Sequence, residues 1–240
     1  MFAHPSGKGR PAAGLQNQTT DSNAAMPKQF WDLAGEPMYV HSLRALSRSA
    51  IVNEIVIVLP AERPQWAGNV TDLPKVISVA DGGPTRQASL VNGLVCVNGD
   101  TDLVLVHDAA RPLINEQLIE SVAAAMDDVC DGAICAVPME DSVKEVSMEG
   151  WILRPLNRKP MWRAQTPQIF KLAVLEEALA RASAEGVETE DCSELLTRLG
   201  QQVKVTEGNA LNLKVTRVQD LSLAETILKN RAGPAEELNS

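Results

Sequence analysis

No stretch of this sequence approaches the ~20 consecutive apolar residues that a membrane-crossing helix needs. Residues 1–14 lack the apolar centre of a secretory signal, so a cytoplasmic location is expected. Cysteine is scarce and scattered: Cys96, Cys130, Cys135 and Cys192 form no C-x-x-C pair. His4, His41 and His107 are equally far apart, which excludes a zinc site of the usual ligand spacing. Isolated thiols of this kind suit a reducing compartment. Positive charge is also short. With 22 Lys and Arg against 31 Asp and Glu, the net charge is −9, and no nucleic acid is expected as a partner. Cations that hold an anionic ligand must therefore be gathered locally against an acidic background.

What is present suffices for a core. At 240 residues, 45% of them hydrophobic, the chain can form one large α/β domain or two small ones. Apolar runs at 51–59 (IVNEIVIVL), 103–107 (LVLVH) and 133–137 (AICAV) read as buried strands, with further strands at 75–79 and 202–206. Helical spacing of apolar residues marks 86–97, 115–126 and 218–230. The clearest amphipathic helix is 171–184, with Leu172, Val174, Leu175, Ala178 and Leu179 inward. Short strands alternating with helices predict a parallel sheet covered on both faces. The stretch 142–162 breaks this rhythm, and its alternating VKEVSMEGWILRPL predicts a two-stranded hairpin. A hairpin that carries apolar residues out of a compact domain often pairs with a second copy, so a homodimer through this β-arm is expected. Residues 1–26 and 233–240 are polar and dotted with Gly and Pro. They are expected to be loose, leaving 27–232 as the domain.

Open α/β sheets bind ligands at their strand ends. The strand at 103–107 ends in His107-Asp108-Ala109-Ala110-Arg111-Pro112: an acid, two small residues, a cation and a proline that stops regular structure. Taken alone, Asp108 reads equally well as a cap for the helix near Asn115, and Arg111 as a surface charge. The small Ala109 and Ala110 favour close approach of a ligand to the backbone. A second segment, Asp81-Gly82-Gly83-Pro84-Thr85-Arg86-Gln87-Ala88-Ser89, joins a strand to a helix. Paired glycines leave bare amides, and the Thr85 and Ser89 hydroxyls stand where a helix N-terminus favours oxygen-rich ligands. A plain turn explains Gly82-Gly83 equally well by itself. Lys28, pinned by Pro27, has solvation as its ordinary fate. Asn157-Arg158-Lys159 and the run from Trp162 through Thr166 to Gln168 are dense in hydrogen-bond donors, and Asn212-Leu213-Lys214-Val215-Thr216 follows Glu207-Gly208-Asn209. Together these segments put Lys28, Arg111, Arg158 and Lys214 into turns around one sheet edge.

The ordered set PKQ, GGPTRQAS, HDAARP, AQTPQ and NLKVT resembles the 2-C-methyl-D-erythritol 4-phosphate cytidylyltransferases of the non-mevalonate isoprenoid pathway, over roughly residues 27–230. The resemblance implies a doubly wound, mostly parallel α/β sheet of the Rossmann-like nucleotidyltransferase kind with a protruding β-arm. It implies a homodimer clasped by exchange of that arm, CTP as donor, and a divalent cation, Mg2+, with no protein metal ligand assigned. Lys28, Asp108, Arg158 and Lys214 would carry catalysis, Lys28 by contact with the CTP phosphates. Pro11, Ala12, Ala13, Gly14, Gly82, Gly83, Ser89 and Ala109 would bind the nucleotide. Asp108, Arg111, Ser142, Arg158, Thr166 and Lys214 would surround the acceptor, with Arg158 and Asp108 reaching from opposite subunits. Ser142 stands where the family usually has threonine and keeps the hydroxyl. Glu190-Asp191 after Thr189 varies a usual Thr-Asp pair.

The N-terminus departs from the family pattern, in which an apolar strand runs into a loop of the type P-A-A-G-x-G-x-R. Here Pro11-Ala12-Ala13-Gly14 is followed by Leu15-Gln16-Asn17-Gln18, so Gln16 replaces a glycine and Gln18 an arginine. In a second alignment Gly7-Lys8-Gly9-Arg10 supplies the loop. That stretch also matches G-x-G-x-x-G/A through Ala12, but residues 1–10 are too polar for the preceding strand that a dinucleotide site requires. Losing one preorganised group at a departing phosphate costs ~10²–10³ in rate, so slow turnover is expected. Two further readings stay open: a ribitol 5-phosphate cytidylyltransferase of the same fold, and a catalytically impaired nucleotide-binding homologue. Trp162 and Ala110 resemble the methylerythritol branch.

Overall fold

The computed structural model describes residues 27–61 and 73–232. The loop expected from Pro11, Ala12, Ala13 and Gly14, the Gln16 and Gln18 departures, and both expected loose ends (1–26 and 233–240) lie outside the described residues.

A 3-10 turn at Lys28–Phe30 leads to a short antiparallel ladder, β1 (Asp32–Leu33) with β2 (Glu36–Pro37). Its turn needs positive φ at two successive positions, met by Ala34 at 55° and Gly35 at 88°. Helix α1 (Met38–Arg48) follows and buries Tyr39, Leu43 and Leu46, a stripe at helical spacing, against Phe30, whose ring packs edge-on to Tyr39 at 5.5 Å. This helix is not among those read from the sequence, although its apolar stripe is at helical spacing.

Next, β3 (Ile55–Leu59) pairs in parallel with β4 (Val76–Asp81), and α2 (Arg86–Leu94) packs on both. After β5 (Leu103–Val106) and α3 (Glu116–Ala124) come β6 (Gly132–Pro138), the hairpin of β7 (Lys144–Val146) and β8 (Ile152–Pro155), and β9 (Trp162–Lys171). The chain closes with α4 (Leu172–Glu185), α5 (Cys192–Arg198), β10 (Val203–Glu207) and α6 (Val218–Ala232). The central sheet has the order β10-β6-β9-β5. The β10–β6 and β3–β4 pairs are parallel, as the alternation of strands and helices predicts, while β9 runs antiparallel to both of its neighbours. That direction follows from its entry: β9 arrives straight from the hairpin with no crossover helix to turn it round. Gly132 lets it sit close, since a Cβ there would lie 2.4 Å from the Phe170 ring.

The donor-dense segment from Trp162 to Gln168 is thus the first part of a ten-residue strand that the sequence did not announce. Pro167 and the polar Gln165, Thr166 and Gln168 hid it, because a proline and three polar residues argue against a central strand. The register with β6 shifts at this point, between Ile134 and Ala136, where Pro167 has no N–H to offer. Helix α4 buries Leu175, Ala178 and Leu179 against β9 and α5, with Leu172 and Val174 partly buried beside them. Burial of each such leucine is worth about 1.5–3 kcal/mol. Among the described residues β3 and β5 share no pairing. A cavity of about 880 Å³ is lined by both strands and reaches His107, Asp108 and Ala109. No helix of the described residues is long and apolar enough to cross a membrane.

Candidate active site

The turn after β5 is closed by the Arg111 amide, which donates to the Asp108 carbonyl oxygen at 2.9 Å. Asn115, not Asp108, caps α3 by accepting from the Leu118 amide at 3.0 Å, which leaves the Asp108 carboxylate for other partners. Its Oδ1 takes hydrogen bonds from Nε and Nη2 of Arg86, both at 3.2 Å, and its Oδ2 pairs with Lys214 Nζ at 3.0 Å. Desolvation would raise the Asp108 pKa, but the charges of Arg86 and Lys214 outweigh it and hold the carboxyl below its ordinary range. The two cations come from distant segments, the start of α2 and the loop after β10. Arg86 also reaches the buried thiol of Cys192, 3.5 Å from Nη1, and burial pushes that thiol's pKa up.

Arg111 is not a surface charge. It is 9% exposed, and its guanidinium donates to two main-chain oxygens: Nη1 to Asn212 at 2.8 Å and Nη2 to Ala164 at 3.2 Å. These two bonds tie the turn to β9 and to the loop that carries Lys214, while the buried Nε has no hydrogen-bond partner among the described residues. Thr166 is 3% exposed and equally committed: its Oγ1 accepts from the Asp108 amide at 3.1 Å and lies 3.0 Å from His107 Nδ1. Burial pushes the His107 pKa down to about 4, so the ring is neutral at ordinary pH.

The second segment forms the N-terminus of α2. Thr85 caps it, accepting from the Ala88 amide at 3.1 Å. Ser89 Oγ donates to the Thr85 oxygen at 2.9 Å and accepts from the Gly83 amide at 3.0 Å, folding the paired glycines back over the helix. Gly83 has no room for a side chain, because a Cβ would lie 2.5 Å from that of Ala88. Gly82 donates to the Leu59 oxygen at 2.7 Å, joining this loop to the end of β3. Lys28 and Lys214 are exposed.

Ser142 and Arg158 flank the β7–β8 hairpin and are both exposed. Ser142 Oγ accepts from Lys144, and Arg158 Nη1 lies 3.5 Å from the Met139 oxygen. Within this single chain neither is recorded in contact with the Asp108 turn. Three residues of the cluster had no assigned part from sequence: Arg86, His107 and Asn212. Arg86 carried a readable signal. A cation at the first position of a helix opposes the macrodipole and needs an acid from elsewhere. His107 and Asn212 carried none.

A sheet edge that joins a glycine-lined helix N-terminus to a carboxylate bracketed by cations defines a Rossmann-like nucleotidyltransferase. The family model for IspD: 2-C-methyl-D-erythritol 4-phosphate cytidylyltransferase matches residues 10–230, and the chain belongs to that family. It is 40% identical over 214 residues to the 2-C-methyl-D-erythritol 4-phosphate cytidylyltransferase of Nitrosomonas eutropha, covering 86% of this chain and 91% of that protein. It is 36% identical over 227 residues to that of Syntrophus aciditrophicus, covering 93% and 95%. The crystal structure of the Thermus thermophilus enzyme of that name superimposes with a TM-score of 0.72 at 32% identity, over 85% of this chain and 94% of the other.

Proposed function

We infer that this protein transfers the cytidylyl group of CTP to 2-C-methyl-D-erythritol 4-phosphate, releasing pyrophosphate, in isoprenoid precursor synthesis. The observation that carries this reading is the Asp108 carboxylate set between Arg86 and Lys214 at the end of β5, beside the Gly82–Gly83 loop. In the reaction an oxygen of the acceptor phosphate attacks the α-phosphorus of CTP, a new P–O bond forms, and the bond to the bridging oxygen of pyrophosphate breaks. Two anions must meet. At ~4 Å they repel by about 1 kcal/mol in water and about 4 at an effective dielectric near 20. Lysines and arginines offset that repulsion and stabilise the charge that develops on the leaving pyrophosphate. No protein nucleophile is required, because the substrate supplies it. Positioning and electrostatics therefore carry the rate.

In this reading Gly82, Gly83, Ser89 and Ala109, with Pro11, Ala12, Ala13 and Gly14, bind the nucleotide, and Lys28 contacts its phosphates. Asp108 and Lys214 face the acceptor, while Arg111 and Thr166 brace that face from behind. Ser142 and Arg158 complete the acceptor site from the β-arm of a second subunit in a homodimer. The exposed apolar residues of the arm support this arrangement: Met148 is 102% exposed and Trp151 74%. No group of three or more His, Cys, Asp or Glu that could hold a metal occurs among the described residues, and both Asp108 oxygens are paired with cations. The described residues therefore do not form a metal cage. A magnesium ion would come to the site on the CTP phosphates with its water ligands. Four free thiols support a reducing, cytoplasmic setting.

The test is pyrophosphate release from CTP with 2-C-methyl-D-erythritol 4-phosphate and, separately, with ribitol 5-phosphate. Turnover with the first at a kcat/KM at least about tenfold that of the second is expected. The reverse preference assigns the acceptor to ribitol phosphate, and CTP binding without turnover marks an impaired homologue.

A further inference from the structure

His107 has both ring nitrogens engaged inside the turn. Nε2 stands 3.1 Å from the main-chain oxygen of Arg111, and Nδ1 stands 3.0 Å from Thr166 Oγ1. A carbonyl oxygen can only accept, so Nε2 carries the proton of the neutral ring. Nδ1 is then a lone pair, and Thr166 must donate to it. Thr166 Oγ1 in turn accepts from the Asp108 amide at 3.1 Å, so the hydrogen bonds run in one direction: Asp108 to Thr166, Thr166 to His107, His107 to Arg111. The ends are anchored. The Arg111 oxygen also accepts from Ser42 of α1 at 3.2 Å, and the Thr166 carbonyl accepts from Asn212 Nδ2 at 2.9 Å, two residues before Lys214.

We infer that His107 is a positioning residue for the transfer reaction: its ring fixes the Thr166 hydroxyl and, through it, the main chain that carries Asp108. The ring acts through Asp108 and not on the substrate. This rests on the proposed part of Asp108 in the site. A ring that merely filled space would be replaceable by phenylalanine; a ring that sets hydrogen-bond direction would not. Displacement of a reacting contact by ~1 Å costs about a hundredfold in rate, so a turn that loses this tie is expected to lose activity without unfolding.

The experiment compares His107→Phe, His107→Asn and His107→Gln in the full chain, with the far-ultraviolet circular dichroism and urea unfolding of each variant to establish that it is folded. Asn places an amide oxygen near the Nδ1 position and can accept from Thr166; Gln places an amide nitrogen near the Nε2 position and keeps only the link to Arg111. The expected result is a fall in kcat of about tenfold to a hundredfold for His107→Phe, with KM for CTP unchanged within about twofold. His107→Asn should recover most of that loss and His107→Gln little of it. Folded His107→Phe with kcat within about threefold of the parent, or recovery by Gln in place of Asn, overturns the inference. If His107→Phe does not fold, the Asn and Gln variants decide alone. Nitrogen-15 NMR of the parent gives a readout independent of turnover. A neutral His107 ring protonated on Nε2, with its Nδ1 signal shifted by Thr166→Val, supports the network, and protonation on Nδ1 refutes it. A parent without turnover but with the expected tautomer would remove the proposed reaction and leave the network standing.

Discussion

The turn after β5 and the β7–β8 hairpin supply the two halves of the proposed site, and they are built in opposite ways. At the turn, Asp108 and Arg111, with Thr166 of β9 against them, each meet at least two partners, and the groups that bind them come from distant segments of the chain. In the hairpin, Trp151, Ile152 and Leu153 are 74%, 65% and 59% exposed, and the ion pair of Arg154 with Glu145 lies on the surface, where such pairs contribute little. The first half is preorganised by burial within one chain. The second leaves its apolar residues exposed, which is what the proposed second subunit would cover.

The sharpest way to break the comparison is Asp108→Ala. It is expected to lower kcat/KM by at least about a hundredfold while the far-ultraviolet spectrum stays that of the parent; activity within about threefold, in folded protein, removes Asp108 from the chemistry. The buried half should also respond to acid. The folded His107 titrates at about 4 against 6.5 for the free side chain, so the unfolded chain takes up the proton first and stability falls as pH drops from about 6.5 towards 4. Asp108, whose folded pKa is lowered, loses its contribution in a more acidic window, as pH falls through its folded value. Urea unfolding of the parent between pH ~7 and ~4.5 should show a loss from His107 of about 2 kcal/mol. That loss should be absent from the His107→Asn difference, and an equal loss in both proteins would assign it elsewhere.

The hairpin half predicts smaller and more selective effects. Arg158→Ala removes a charge-assisted hydrogen bond worth about 1.5–3 kcal/mol, so acceptor use should weaken by roughly tenfold or more with CTP affinity nearly unchanged. Titration of both ligands tests this, and a selective loss of CTP binding would move Arg158 to the other substrate. Met148→Ser should change unfolding free energy by no more than about 0.5 kcal/mol, as exposed positions do, yet weaken self-association in sedimentation velocity. Unchanged association would detach the arm from the dimer.

The elements with one strong local signal are legible from the amino-acid order itself. The apolar runs of β3, β5 and β6 and the stripe of α4 announce an α/β sheet, because a buried strand or an amphipathic helix needs only its own residues to be recognised. The chemistry-bearing turns are legible too, as small residues and charges at strand ends. What the sequence alone could not decide was direction and partnership. Nothing local in Trp162–Lys171 marks a central antiparallel strand; burial of Gln165, Thr166 and Gln168 against β6, with the Gln165 amide nitrogen, the Thr166 hydroxyl and the Gln168 amide nitrogen bonded to Asn209, His107 and Asp191, made it one. Arg111 reads as a surface cation until Asn212 and Ala164, 101 and 53 residues away, close over it. Side-chain identity determines what a group can donate or accept, while only the packing of distant segments determines whether those donors face a ligand or the protein's own carbonyls.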